Sequence, residues 1–330
     1  MTKREEQITE ILRKNNLLCA PAEKITSDAS NRKYLRLTQG KKTIILMDSN
    51  PKKNEPVNNF IYFTNFLRKY NFSAPKIYDS DIPNGLLLLE DLGKTNFADV
   101  LKVSPKIEKN IYREAVNQLI KMQNTHLPKQ AKPYSIEILL KEALLFTEWY
   151  LGEMNSSNLS TQFVSLLKPL LKKIVHTKPT LVLRDFHSEN LIWMRNRKSY
   201  RKVGLLDYQD ALIGHPAYDI ASLLKDARRD VSVEVRDIIT DYYLEKTMHN
   251  KDLFLRDYSI LSAQRNLKII GIFSRLSIRD NKSHYVKLIP RVWKNLEDDF
   301  IHPDLTNLSA FINSVAPYPN INILEKLSIR

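Results

Sequence analysis

Apolar positions recur along this chain with two different periods. Ile8, Ile11 and Leu12 return at helical spacing and predict an N-terminal amphipathic helix. KYLRL (33–37) and KTIILMD (42–48) are short and apolar, and predict two strands joined by a turn at Gln39-Gly40-Lys41, a hairpin. Pro56 opens a segment in which Phe60, Phe63, Leu67 and Tyr70 recur every three or four residues, which predicts a helix packed on the sheet. PKIYDS (75–80) and GLLLLED (85–91) predict two more strands, the second apolar enough to be buried on both faces.

After Gly93 the period changes. Helices are predicted over Ile107 to Met122, Ile136 to Leu151 and Thr161 to Val175, and again from Pro216, Val231, Tyr258 and His284. One interruption stands out: TLVLR, NLIWM and KVGLLD, between residues 180 and 208, read as strands, with the basic loop RNRKSYR between the last two. The predicted class is α+β, with a small antiparallel-sheet lobe over 1–92, a connector near Glu90 to Gly93, and a larger helical lobe over 93–330.

Composition narrows the class. In 330 residues, 43% hydrophobic and 27% charged is ordinary for a globular enzyme and excludes disordered, collagenous and disulfide-dense chains. The single cysteine, Cys19 in LLCAP, is expected as a buried thiol in a reducing cytoplasm. No apolar run approaches the roughly 20 residues of a membrane span, and the charged N-terminus lacks a signal core, so neither secretion nor membrane insertion is expected. The charge of +14 suits a phosphorylated small molecule, an anionic lipid or nucleic acid. Its basic residues are scattered without an aromatic-interleaved motif, so nucleic-acid binding is not expected; a monomer is.

The candidate chemistry lies in LVLRDFHSENLIWM. Arg184-Asp185 follows a predicted strand, and Asn190 stands five residues after Asp185, before another strand. Phosphoryl transfer needs a carboxylate to orient an acceptor hydroxyl and take its proton, and oxygen ligands on a metal that neutralises the phosphates. Asp185 fits the first task and Asn190 the second. Seventeen residues after Asn190, Asp207 ends the next strand, where a second hard oxygen ligand could share Mg²⁺ with Asn190.

These stretches resemble the aminoglycoside-phosphotransferase-like kinases, which have the bilobal protein-kinase fold. ILMD, LLLLEDLG, LRDFHSENLIW, LLDYQDALIGHPAYDIASLLKDARRDV and QRNLKIIGIFSRL are most similar to the bacterial anomeric amino-sugar kinases of cell-wall recycling. The resemblance implies ATP and Mg²⁺ as cofactors, a nucleotide loop at Ser30-Asn31, and N-acetylmuramate or N-acetylglucosamine as acceptor, with cytoplasmic location. It also implies a structural role for Asp219 beneath the catalytic loop; the connector backbone at Glu90 and Leu92 is expected to recognise adenine, because a buried strand ending there offers unpaired backbone groups.

One departure matters. Met47 stands where protein kinases carry a phosphate-binding lysine on the third strand. Arg32, Lys33 and Arg36 are the available replacements, and strand alternation sets Arg32 and Arg36 on one face with Tyr34, and Lys33 on the other. Candidate acceptor contacts are His187, Gln209, Asp210, Asp226, Arg228 and Arg265, the arginines suiting a substrate carboxylate. Trp149, Trp193 and Trp293 are expected in the core. Two other readings fit the same motif: a kinase of another small alcohol, such as an aminoglycoside, choline or homoserine, and a non-catalytic nucleotide-binding protein lacking the lysine.

Overall fold

The computed structural model describes residues 1–25, 32–54, 56–174 and 178–328. In chain order the elements are α1 (Lys3–Lys14), β1 (Ala22–Ile25), β2 (Lys33–Gln39), β3 (Lys42–Asp48), α2 (Asn58–Lys69), β4 (Ile77–Asp81), β5 (Leu86–Glu90), α3 (Phe97–Val103), α4 (Glu108–Gln123), α5 (Ile136–Ala143) and α6 (Ser157–Lys173). There follow β6 (Thr180–Val182), β7 (Leu191–Trp193), β8 (Val203–Leu205), β9 (Leu212–Gly214), α7 (Ala217–Leu224), α8 (Val233–Thr247), α9 (Lys251–Ile278), α10 (Ile289–Asp299), α11 (Thr306–Val315) and α12 (Ile321–Ser328). The α+β class expected from the sequence is the class observed. The chain divides into two compact units, one of residues 1–97 and 190–210, the other of 98–189 and 211–330.

The first unit is built on an antiparallel sheet of order β1-β2-β3-β5-β4. Its register puts Leu35 opposite Leu46 and Leu46 opposite Leu88, while Tyr34, Met47 and Leu87 form the neighbouring row. Side chains alternate faces, so the two rows point to opposite sides. Ile11 and Leu17 bury against Leu37, Leu46, Leu86 and Leu88 on one side, with Ile8 and Leu12 packed alongside. The helix covering that face is therefore α1; Thr2 caps it reciprocally with Glu5, and Arg4 ties it to Asp48 and the carbonyl of Asn84. Helix α2 stacks Phe60 on Tyr208, with ring centroids 5.4 Å apart. The short hairpin β7–β8 belongs to this unit through bridges from Ser73 to Gly204 and from Asn96 to Ile192.

The second unit is helical around α9, a 28-residue helix buried on nearly all sides. Among its neighbours is a π-helical turn over Phe146–Leu151, where the sequence predicted an uninterrupted helix from 136 to 151. Gly271 explains the fit: a β-carbon there would lie 2.3 Å from the carbonyl carbon of Leu145, so only glycine lets α9 reach that backbone. Trp293 packs on Phe146 and Tyr150, in the core as expected. Cys19 is exposed, not buried: Leu17 is the residue of this stretch that joins the core cluster with Ile11, while Leu18 and Cys19 face solvent. Among the described residues no helix is long and apolar enough to cross a membrane.

Candidate active site

In the second unit, β6 is fully buried and delivers the chain to a tight turn at Arg184. Arg184 has φ of 72°, the left-handed region that bulky residues seldom adopt. Three anchors hold it there. The amides of Leu183 and Arg184 donate to the two oxygens of Asp219, at 2.6 and 2.9 Å; Ser222 Oγ donates to the Arg184 carbonyl at 3.2 Å; and the guanidinium pairs with Glu142 while lying 5.6 Å over the Tyr134 ring. Burial pushes the Asp219 carboxyl up to about 7, further than its two amide donors bring it back.

Asp185 follows, half-buried. Burial raises its proton affinity, but Lys268 and then the other cations Arg184 and Arg265 lower it further, so the net shift is downward and the carboxylate is ionised at neutral pH. His187 also faces it, though burial and then the Arg228 charge hold the imidazole below its ordinary value. The Arg228 guanidinium, which can only donate, lies 3.4 Å from His187 Nε2, consistent with a neutral ring accepting at that nitrogen. Beyond His187, the amide and hydroxyl of Ser188 donate to Asp226, whose other oxygen accepts from the Arg228 amide at 2.8 Å. Arg228 Nε is paired with Glu189 at 2.9 Å. Asp226 is thus committed to shaping the loop, and Arg228 is held beside it.

In the first unit, the β7–β8 register sets Leu191 opposite Leu205, and the Leu206 amide donates to the Asn190 carbonyl at 3.0 Å. Asn190 and Asp207 therefore emerge at the same end of the hairpin. Asp207 is exposed and takes φ of 55°, which turns the chain back. Tyr208 is the pin: it is fully buried, stacked on Phe60, and its hydroxyl meets Thr64 Oγ1 at 2.7 Å. Gln209 Nε2 donates to Asp207 at 2.8 Å and to Asp210 at 3.3 Å, which orders the exposed carboxylates. Two hard side-chain oxygen donors at one strand end fit Mg²⁺, an ion that usually takes one or two protein ligands and completes its shell with water and phosphate. No cluster of three His, Cys, Asp or Glu suited to a metal occurs among the described residues.

The other expected residues of this unit divide. Ser30 and Asn31 lie outside the described residues. Arg36 is bound to Asp91 through Nε at 2.6 Å and Nη2 at 3.2 Å, and reaches the Gly93 carbonyl at 3.3 Å, so it straps the sheet to the connector. Lys33 is exposed. Arg32 interacts with Tyr34, which is raised by burial and also feels Asp207. Met47 is fully buried between Tyr34 and Leu87 in the cross-strand row. At the connector, the Glu90 amide donates to the Lys76 carbonyl at 2.7 Å, and its carboxylate collects Arg68, Arg197 and the Lys76 amide. Leu92 is buried, with its methyl 3.1 Å from where a β-carbon on Gly204 would stand.

Within the second unit, Asp185, His187, Asp226, Arg228 and Arg265 form one electrostatic neighbourhood. Arg265, on α9, is 4% exposed, and its Nη1 has no hydrogen-bond partner among the described residues. The sequence reading missed Lys268, one helical turn after Arg265, and Glu142. The signal available for Lys268 was its i,i+3 spacing from Arg265, which puts both cations on one face of a helix.

In the second unit an ionised aspartate follows a strained turn, and in the first an Asn and an Asp stand at one end of the β7–β8 hairpin, residue types that phosphoryl transfer uses. Residues 21–255 match the phosphotransferase enzyme family, and the chain belongs to that family. It is 31% identical to the N-acetylmuramate/N-acetylglucosamine kinase of Caulobacter vibrioides, with 89% of this chain and 92% of that one covered. To the kinase of the same name from Pseudomonas aeruginosa it is also 31% identical, with 89% of each chain covered. Among solved structures, a choline kinase from Streptococcus pneumoniae has a TM-score of 0.62 at 15% identity, covering 90% of this chain and all (100%) of that one. An ADP-bound aminoglycoside phosphotransferase has a TM-score of 0.61 at 12% identity, over 91% of this chain and 99% of that one. At such identities these structures show the fold alone.

Proposed function

We propose that the protein transfers the γ-phosphoryl group of ATP to the anomeric hydroxyl of N-acetylmuramate or N-acetylglucosamine, giving the sugar 1-phosphate in cytoplasmic peptidoglycan recycling. The observation that carries this reading is the likeness, over 89% of the chain, to relatives named for those two acceptors. Asp185 orients the hydroxyl and accepts its proton as the sugar oxygen bonds to the γ-phosphorus; the bond to the bridging oxygen breaks, and ADP leaves with that electron pair. A hemiacetal hydroxyl is more acidic than an ordinary alcohol, so a carboxylate of low proton affinity, mainly orienting, suffices.

Asn190 and Asp207 would hold Mg²⁺, whose charge would neutralise the phosphate oxygens. Ser30 and Asn31 belong to the phosphate loop, and Glu90 and Leu92 offer the connector backbone to adenine. Arg32 supplies the charge that Met47 does not, since Arg36 is committed to Asp91 and Lys33 is exposed. His187, Gln209, Asp210, Arg228 and Arg265 contact the sugar, while Asp226 acts indirectly, by holding Ser188 and Arg228.

A net charge of +14 disfavours a polycationic antibiotic as acceptor. The test is transfer of labelled phosphate from ATP to N-acetylmuramate, N-acetylglucosamine, choline and kanamycin, with and without Mg²⁺. Metal-dependent labelling of the amino sugars is expected; kanamycin or choline turning over better rejects the acceptor, and no transfer to any of them favours the non-catalytic alternative.

A further inference from the structure

We infer that Glu142 is a positioning residue for Asp185, acting through two cations that its single carboxylate gathers, Arg184 and Lys268. The inference rests on the reading of Asp185 as the proton acceptor. Glu142 lies near the end of α5, with its side chain only 13% exposed. Oε1 pairs with the Arg184 guanidinium, and Oε2 takes Lys268 Nζ at 3.1 Å together with the Tyr134 hydroxyl. The Tyr218 hydroxyl is 3.0 Å from that of Tyr134; with Tyr134's one proton on Glu142, Tyr218 is the donor in that contact. Donors thus converge on one carboxylate from the segment before α5, the turn after β6, and α9.

Both cations bear on Asp185. Arg184 is its chain neighbour and sits in a left-handed conformation that its side-chain pairing helps to hold. Lys268 is 8% exposed and exerts the strongest favourable charge on Asp185. One carboxylate between the half-buried Arg184 and the buried Lys268 anchors the ammonium while its charge still bears on Asp185. Without that anchor, Lys268 turns onto Asp185 and forms a direct ion pair, which takes up the oxygen that must meet the acceptor, while the Arg184 turn relaxes.

The experiment compares Glu142→Gln, which keeps shape and removes charge, with the double variant Glu142→Gln/Lys268→Met, using wild-type and Asp185→Asn proteins alongside. For Glu142→Gln, kcat for phosphate transfer to the amino sugar falls about 10- to 100-fold, the scale of a misplaced catalytic group, while the KM for ATP changes less than about threefold. Removing Lys268 as well raises kcat again, by at least about threefold, because the competing ammonium is gone. A purely structural role would lower Tm in both variants with kcat per folded molecule at the wild-type value, and that result overturns the inference. If Glu142→Gln does not fold, Tyr134→Phe removes only the third donor and lowers kcat about threefold; unchanged kcat there overturns it equally. Wild-type turnover that survives Asp185→Asn removes the reading of Asp185 and the role of Glu142 with it, whereas an inactive Asp185→Asn beside a fully active Glu142→Gln counts against Glu142 alone.

Discussion

At the scale of single residues, the spacing D-x-x-x-x-N followed by a strand ending in Asp made Asp185, Asn190 and Asp207 legible as candidates, and the loop and hairpin expected to carry them are present. What surrounds Asp185 was not legible. Glu142 meets Arg184 across 42 residues, and Tyr134 meets Tyr218 across 84; periodicity carries no information about such pairings. If Asp207 is a Mg²⁺ ligand, Asp207→Ala abolishes the gain in ATP affinity that Mg²⁺ brings; titration calorimetry with and without the metal checks this, and an unchanged gain refutes it.

Asp219 makes a prediction in pH. Its carboxyl titrates near 7 when folded and near 3.8 when free, so between these values the folded state binds more protons than the unfolded one. Stability from this group is therefore lost as pH rises from about 4 to 7, by up to roughly 4 kcal/mol at about 1.4 kcal/mol per pKa unit. The stability of Asp219→Asn relative to wild type should climb over that interval and level off above it. A pH-independent difference in denaturant melts would contradict the assignment.

At the scale of elements, the strands β2, β3 and β5 and the helix α4 lie close to where alternation and helical spacing put them. Short or buried elements escaped. β1 has four residues with none fully buried, and β9 has three, too few to show a period. Helix α9 begins at Lys251, earlier than the expected Tyr258; Asn250, whose side chain accepts from the Leu253 amide, was the sequence signal for its start. The π-helical turn was not visible in the periodicity, and the glycine that lets α9 pack against the backbone beside it, Gly271, lies more than a hundred residues away. Gly271→Ala gains helix propensity worth about 1 kcal/mol. The β-carbon would nevertheless stand 2.3–2.6 Å from the backbone of Leu145 and Phe146, which cannot move as a side-chain tip can. Overpacking of this kind should cost a net 1–3 kcal/mol, roughly, and lower Tm; a raised Tm would show that α9 and the turn separate freely.

At the scale of the whole molecule, composition and charge set the class of partner but not its identity. A chain of net charge +14 favours anionic ligands generally, and the choice of an amino sugar comes from likeness to its relatives. Arg265, buried with a nitrogen that has no hydrogen-bond partner among the described residues, is the residue expected to read the lactyl carboxylate that N-acetylmuramate has and N-acetylglucosamine lacks. Its replacement by alanine should lower kcat/KM for N-acetylmuramate about 10- to 150-fold, the 1.5–3 kcal/mol or so of a charge-assisted hydrogen bond, and affect N-acetylglucosamine much less. Equal losses for the two sugars would remove that role.

The central claim is that Asp185 activates the anomeric hydroxyl of an amino sugar toward ATP. Its most direct test is ³¹P NMR of the products formed from ATP, Mg²⁺ and N-acetylmuramate or N-acetylglucosamine by the wild-type protein and by Asp185→Asn. The account predicts a sugar 1-phosphate with the wild type, and a rate at least about 100-fold lower with Asp185→Asn at unchanged ATP affinity. A phosphate on any other hydroxyl, or full turnover by Asp185→Asn, would contradict it.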